Sequence, residues 1–351
     1  MKNSLINATA DVVVGLQFGD EGKGKIVDDL IKQAGRYNLC MRFNGGPNAG
    51  HTVYVDGKKM DTHQVPSGVL TGMKSIINAN CMVDPIKLEQ EINKIQAELP
   101  NIEVYSLLMV DRNATIITAE HIAEDKVKDT IGSTHCGMTP AYRSKYSGVA
   151  LKVRDVINNN ELLDLYPVFK RIDDIDTYHY LSTRPEPPRI LFEGAQGFEL
   201  DVNSDNYPYV TKTHCTTGFA FTAGIGPRAL KDVYGAAKIY VTYVGNKQFM
   251  PNDDPDLHKL QQLGKEFGVT TGRARQCNWL NLDLLVQSCV VNSVTKLIIN
   301  KCDILQELGV FKLGQNGDLI EFDNWNDMKS YVEQALTGIC EVTFSYSPHK
   351  I

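Results

Sequence analysis

Residues 16–25, LQFGDEGKGK, follow the apolar run 12–14 and end where a helix can begin. A strand, a Gly-rich turn and a helix N-terminus in that order aim several backbone N–H groups at one anion. Gly19, Gly22 and Gly24 allow close approach to a phosphate, and Lys23 and Lys25 add positive charge. The spacing from Gly19 to Lys25 is that of a phosphate loop, yet Ile26 stands where a Ser or Thr hydroxyl normally helps to hold Mg2+. An ordinary NTPase is therefore disfavoured. Two carboxylates, Asp20 and Glu21, stand inside the loop. Asp20 can bind a metal ion that bridges phosphate oxygens, or take a proton from a nucleophile. A solvated Asp in a structural turn is the plain alternative, and loop chemistry alone assigns Glu21 no role.

Five further segments carry polar groups in loops. FNGGPNAGHTV (43–53) frees its backbone at Gly45, Gly46 and Gly50 and offers Asn48, His51 and Thr52, a set that can put a carbonyl on a metal and an imidazole on a leaving oxygen. LFEGAQGFELDV (191–202) runs from an apolar strand into Glu193, Gly194 and Gln196, at the sheet edge where α/β proteins bind ligands. In YPYVTKTHCTTGF (207–219), Thr211 and Thr213 can either cap or hold phosphate. GVTTGRARQCNWL (268–280) sets Arg273 and Arg275 two apart, so that both guanidinium forks can converge on carboxylates or phosphates; a solvated basic turn is the alternative. NKCD (300–303) ends a strand pattern. A carboxylate there can accept from the N1–H and 2-amino group of guanine, which adenine cannot supply, while Lys301 lies along the base. GTP is thereby favoured over ATP.

Positioning these loops requires strands that alternate with helices. Short β-rich runs at 11–18, 75–83, 104–110, 189–194, 238–245, 296–305 and 341–347 alternate with helical patterns at 24–34, 84–99, 118–128, 255–266, 280–292 and 325–336. That alternation predicts βαβ units and a mostly parallel sheet. Two hairpins interrupt it, at 51–60 with Asp56-Gly57 at the turn and at 310–322 with its bend at 314–317. One elaborate α/β domain spanning 1–351 is expected.

Composition limits the function classes. Net charge is −6 with dispersed basic residues, so neither nucleic acid nor an anionic membrane is an expected partner. Eight cysteines show no CxxC pair or Cys/His cluster and fall in apolar runs, as in a reducing cytoplasm. No segment approaches the roughly 18 apolar residues of a membrane span, and no signal-peptide pattern opens the chain, so a cytosolic protein is expected.

Taken in order, GDEGKGK, NAGHT, EGAQG, YPYVT, TTGRAR and KCD resemble the motifs of adenylosuccinate synthetases over nearly the whole chain. The resemblance implies a P-loop-related α/β fold with a large, mostly parallel central sheet flanked by helices and extra β-hairpins, working as a homodimer. It implies that GTP phosphorylates the 6-oxygen of IMP and that L-aspartate displaces the phosphate, giving adenylosuccinate, GDP and phosphate. Asp20 would be the base at N1 of IMP and, with the Gly50 carbonyl, a Mg2+ ligand; His51 would be the acid and Gln196 a third catalytic group. Gly19, Glu21, Gly22, Lys23, Gly24, Lys25, Gly50, Thr52 and Arg275 would lie at GTP, with Lys301, Asp303, Ser345 and Ser347 around guanine. Asp20, Lys23, Asn48, Ala49, Thr134, Gln196, Thr211 and Arg273 would contact IMP, and Val269, Thr270, Thr271, Gly272, Arg273 and Arg275 would hold aspartate.

The chain also departs from the pattern. His135-Cys136-Gly137 replaces the usual Gly-Arg-Gly, and Gly148 lies near where an Arg normally crosses the dimer interface to the nucleotide phosphate, with only Arg143 and Lys145 close. The chain is short, as in archaeal and phage-encoded branches. A phage-type synthetase acting on dGMP is the near alternative; that branch usually carries a small residue at the position of Asp20, so Asp20 favours IMP. A non-catalytic GTP-binding regulatory protein is the alternative from another class, disfavoured by Ile26 and by the lack of a DxxG-like element.

Overall fold

A computed structural model describes residues 3–55, 57–127, 134–222, 224–267 and 272–347. Its first strands are β1 (Thr9–Gly15), β2 (Leu39–Arg42), β3 (His51–Val55), β4 (Lys58–Thr62), β5 (Ser75–Ile77) and β6 (Met82–Val83). There follow β7 (Leu108–Asp111), β8 (Thr115–Ile116), β9 (Asp173–Ile175), β10 (Arg189–Glu193), β11 (Leu230–Lys238) and β12 (Tyr240–Tyr243). The last are β13 (Gln276–Asn281), β14 (Lys296–Asn300), β15 (Phe311–Gln315), β16 (Asp318–Phe322) and β17 (Glu341–Phe344).

Nine strands form one sheet in the order β17-β14-β11-β1-β10-β2-β5-β7-β9, and each neighbouring pair is parallel. Such a sheet is covered on both faces, so its strands read as continuous apolar runs. Val12, Val13 and Val14 are fully buried. Val12 and Val14 join a core with Phe192, Leu297 and Trp279, while Val13 joins a separate core with Leu191, Ala236 and Ile298. The second core receives helix α1 (Lys23–Ile31) through Ile26, Val27, Leu30 and Ile31. Ile26, which occupies the hydroxyl position of an ordinary phosphate loop, is thus a fully buried core residue.

Because the strands run the same way, Gly15, Arg42, Glu193, Lys238 and Asn300 all end at one edge, and the loops that follow them meet there. The expected mostly parallel sheet flanked by helices is present, and both expected hairpins form, as β3–β4 and β15–β16. Asp56 of the first turn lies outside the described residues.

Several boundaries differ from expectation. The run 238–245 is two strands: β11 ends at Lys238, and β12 belongs to a second sheet ordered β12-β13-β15-β16. An apolar run buried throughout has no periodicity to mark a change of sheet. The run 296–305 stops at Asn300, where Lys301 takes φ +66° and opens the helix Cys302–Leu308. Residues 104–110 begin as the helical turn Val104–Leu107 before β7, and 75–83 divides into β5 and β6. Among the described residues, no helix is long and apolar enough to cross a membrane.

Gly24 sets how closely α1 approaches the strand that carries His51. A Cβ on Gly24 would lie 2.9 Å from the Thr52 carbonyl oxygen and 3.2 Å from His51 Cβ. Gly24→Ala is expected to destabilise the fold by about 1–3 kcal/mol, the usual cost of overpacking, read as a shifted midpoint in urea unfolding.

Candidate active site

The Gly-rich loop between β1 and α1 is folded around Glu21. That carboxylate is 1% exposed; Oε1 accepts the backbone N–H of Gln17 at 3.1 Å and of Gly19 at 2.8 Å, and Oε2 accepts Lys23 Nζ at 2.6 Å. Asn300 Nδ2 donates to the Glu21 carbonyl at 2.7 Å, tying the loop to the end of β14. Glu21, expected at the nucleotide, is turned inward and holds the loop's shape. Lys23 is likewise buried on Glu21. Lys25 reaches the C-terminal segment, donating to Ser345 Oγ at 2.7 Å and to the Ser347 carbonyl at 3.0 Å. Burial brings its ammonium down to about 8 against the pull of Asp303. The phosphate loop, Ser345, Ser347 and the Asp303 helix therefore share one corner.

Asp20 takes φ +60° at the tip of the loop. Its Oδ2 accepts Arg275 Nε at 2.8 Å, and Arg275 Nη2 lies 2.7 Å away, while Arg275 Nη1 donates to Glu266 Oε2 at 2.7 Å. Arg275 is thus spread between two carboxylates, one partly exposed and one fully buried. Glu266 also accepts Lys238 Nζ at 2.9 Å and Tyr240 OH at 2.7 Å, with Lys301 Nζ 3.8 Å away. Burial opposes ionisation of Glu266, but Lys238, Lys301 and Arg275 together hold its carboxyl down at about 2.

A second buried cluster surrounds His51 at the start of β3. His51 Nδ1 is hydrogen-bonded to Glu193 Oε1 at the end of β10. Ser67 supplies its backbone N–H to Glu193 Oε2 at 2.8 Å and its hydroxyl to Oε1 at 2.6 Å, and Arg42 Nη1 lies 3.3 Å from Oε1. Burial opposes charge on Glu193, yet the imidazole, Arg42 and Ser67 hold it at about 2. Burial and Arg42 push the imidazole down to about 4, against the pull of Glu193. His51 is therefore neutral near pH 7, with Nδ1 committed to Glu193 and Nε2 without a partner among the described residues.

Gln196, with φ +57°, follows Glu193 by three residues, and both atoms of its amide are buried without a hydrogen bond among the described residues. Its loop packs against the other two: a Cβ on Gly45 would lie 3.1 Å from the amide nitrogen, and one on Gly19 would lie 3.6 Å from Gln196 Cα. Asn48 Oδ1 is also buried without a partner. Orphaned amides between three Gly-rich loops are what a site made for a polar ligand leaves behind.

Other expected residues have different surroundings. The Thr52 hydroxyl donates to Asp61 across the hairpin at 2.5 Å, and Ala49 is buried. Thr211 is fixed by its backbone N–H to the Leu200 carbonyl at 2.8 Å. Thr134 borders the undescribed stretch 128–133; Val269, Thr270 and Thr271 lie outside the described residues, with Gly272 and Arg273 following them. Cys136 is buried beside Met82, Ile117 and Met138 and accepts Lys87 Nζ at 3.3 Å, so this position is part of an apolar core. Arg143 pairs with Glu124, and Lys145 Nζ donates to the Ala79 carbonyl at 3.3 Å.

No group of three or more His, Cys, Asp or Glu placed to hold a metal occurs among the described residues. Mg2+ does not require one, since it keeps waters and phosphate oxygens and takes one or two carboxylates. Asp20, on a phosphate loop, suits that donor set once Arg275 gives way. Arg42, Lys238 and Glu266 belong to none of the sequence motifs, and the motif around Glu193 carries no sign of its partners. The signal for Arg42 and Lys238 was a single charge inside an otherwise apolar strand, LCMRF and AAKIYV.

The arrangement has relatives. A profile of the adenylosuccinate synthetase family matches residues 12–169 and 168–319. The adenylosuccinate synthetase of Cytophaga hutchinsonii is 36% identical over 360 residues, covering 89% of this chain and 82% of that protein. That of Picrophilus torridus is 36% identical over 337 residues, covering 86% and 79%. A solved structure of fully ligated adenylosuccinate synthetase from Plasmodium falciparum matches with a TM-score of 0.81 at 27% identity, over 97% of this chain and 98% of that one. The succinoaminodeoxyadenylate synthetase of cyanophage S-2L, bound to dGMP and dATP, matches with a TM-score of 0.75 at 21% identity over 97% and 93%, a likeness of fold.

The two buried carboxylates make stability acid-sensitive. With Glu193 and Glu266 held at about 2 against an ordinary 4.5, their contribution is complete above pH 4.5 and is lost as pH falls toward 2. The melting temperature is expected to drop over that window, and Glu193→Gln should flatten the drop; an equally steep acid loss in the variant would contradict the assignment.

Proposed function

The chain belongs to the adenylosuccinate synthetase family, and from that premise we propose how its own residues carry out the reaction. It is a GTP-dependent ligase that joins IMP and L-aspartate. One observation carries the residue-level reading: Asp20 on the phosphate loop, the His51–Glu193 pair and the Lys301–Asp303 pair all follow strands that end at the same sheet edge.

Asp20 accepts the N1 proton of IMP after Arg275 shifts off its carboxylate, which leaves O6 nucleophilic. O6 attacks the γ-phosphorus and GDP departs; the amine of aspartate then attacks C6 and phosphate departs. His51 meets the transferring phosphoryl group at Nε2. An anion there favours the doubly protonated ring, and Glu193, ionised and bonded to Nδ1, compensates the added charge. Gln196 and Asn48 supply their orphaned amides to the substrate, and Asp303 reads the guanine edge beside Lys301. Asp20 and the Gly50 carbonyl would hold Mg2+, which when bound neutralises phosphoryl charge. The GTP loop further includes Gly19, Gly22, Gly24 and Lys25, and aspartate is held by 269–273 with Arg275. The chain acts as one domain in a cytoplasmic homodimer, without nucleic acid or membrane. Asp20 supports IMP over dGMP.

With IMP, aspartate and GTP, purified protein is expected to form the succinylated nucleotide, detected by mass, and to form far less from dGMP; no product from IMP sinks the proposal. Asp20→Ala and His51→Ala should each cut turnover by about 10²–10⁴-fold, the usual worth of a general acid or base. Undiminished turnover in either removes that residue from the chemistry.

A further inference from the structure

Glu266 belongs to none of the sequence motifs, yet it is tied to four side chains of the site. It is fully buried, and three cations face it: Lys238 at 2.9 Å, Arg275 at 2.7 Å and Lys301 at 3.8 Å. Two of its partners are anchored elsewhere. Lys238 ends a central strand and also donates to Thr242 Oγ1 at 2.9 Å, and Tyr240, which donates to Oε1 at 2.7 Å, belongs to the second sheet. Lys301 further donates to the Gly264 carbonyl at 2.9 Å, two residues upstream. The backbone N–H of Arg275 donates to the Glu266 carbonyl at 2.9 Å, so the two residues are joined through their backbones as well.

A guanidinium is a rigid planar fork, so fixing one nitrogen constrains the others. Arg275 Nη1 is fixed on Glu266, and Nε and Nη2 lie on Asp20. We propose that Glu266 is a positioning residue: held by Lys238 and Tyr240, it retains Arg275 when Asp20 is released for proton transfer, and it links that release to Lys301 at the guanine end. Without the charge on Glu266, Arg275 has Asp20 as its remaining carboxylate among the described residues, and the pair closes on the group that must act as base. The inference rests on the proposed roles of Asp20 and Lys301.

Glu266→Gln alone strands the buried Lys238, and breaking a buried pair can prevent folding. The test therefore uses both Glu266→Gln and the charge-balanced double variant Glu266→Gln/Lys238→Met, with circular dichroism to confirm the fold. In steady state, the folded variant is expected to lose about 30-fold in kcat with the KM for IMP changed less than about 3-fold, the signature of an interaction that acts after substrate binding. Adding Glu266→Gln/Lys238→Met to an Arg275→Met background should cost less than about 3-fold, since residues that act through each other are not additive. By calorimetry, GDP should bind the double variant about tenfold more weakly than wild type, as Lys301 and Arg275 lose their common anchor.

A folded variant with wild-type kcat and GDP affinity overturns the role of Glu266, as does full additivity with Arg275→Met. A wild-type chain that forms no product overturns the proposed function instead; the GDP titration then decides on Glu266 by itself, unchanged affinity counting against it.

Discussion

A carboxylate that points back into its own loop underlies the whole site. Glu21 gathers two backbone N–H groups and the Lys23 ammonium inside the Gly-rich turn, and Asn300 holds its carbonyl from the end of β14, two strands away. Charge-assisted bonds in a dry environment are strong, and leaving any member unpaired is costly. The turn is thereby held in one shape, with Asp20 presented in a left-handed conformation at its tip and Gly22 starting α1 at φ +95°. The two acids of the Gly-rich loop are consequently two different devices: Glu21 builds the loop and Asp20 is displayed by it.

The same logic recurs around the pocket. Glu193 and Glu266 are each fully buried, each faced by at least one cation and one hydroxyl, and each connected to one further group, His51 in one case and Asp20 through Arg275 in the other. A buried charge in surroundings of low polarity survives only if it is paired and hydrogen-bonded. Rigid pairs of that kind fix the tautomer of an imidazole or the plane of a guanidinium before any ligand arrives. Preorganisation of this sort is what lets fixed charges stabilise a transition state without reorganising during the reaction.

Where the chain departs from the family pattern, packing supplies the reason. Cys136 sits in an apolar cluster with Met82, Ile117, Met138 and Tyr142. A charged side chain at that position would face the cluster, not the solvent. Ile26, where the chain departs instead from an ordinary NTPase loop, is a core residue of the layer that seats α1 beneath the loop, so a hydroxyl there would be buried against Val13 and Leu191. Both positions belong to apolar clusters that pack beside the site.

Much was legible in the residue order. Alternating strand and helix signals gave the parallel sheet, and glycines with fixed offsets marked the loop between β1 and α1, the NAGHT loop and the turn before Gln196. The helix that carries Asp303 was not legible, because 296–305 reads as one mostly apolar run while the strand stops at Asn300. Boundaries such as Lys238 to Tyr240 were not legible, since an unbroken apolar run carries no mark of which sheet will bury it. Nor were the charge pairings. Arg42 meets Glu193 across 151 positions of sequence, and Asp20 meets Arg275 across 255. Local propensity and spacing act over a few residues and therefore settle elements and loops, whereas a buried charge takes whatever partner the folded sheet brings within hydrogen-bond reach, and that choice exists only in three dimensions.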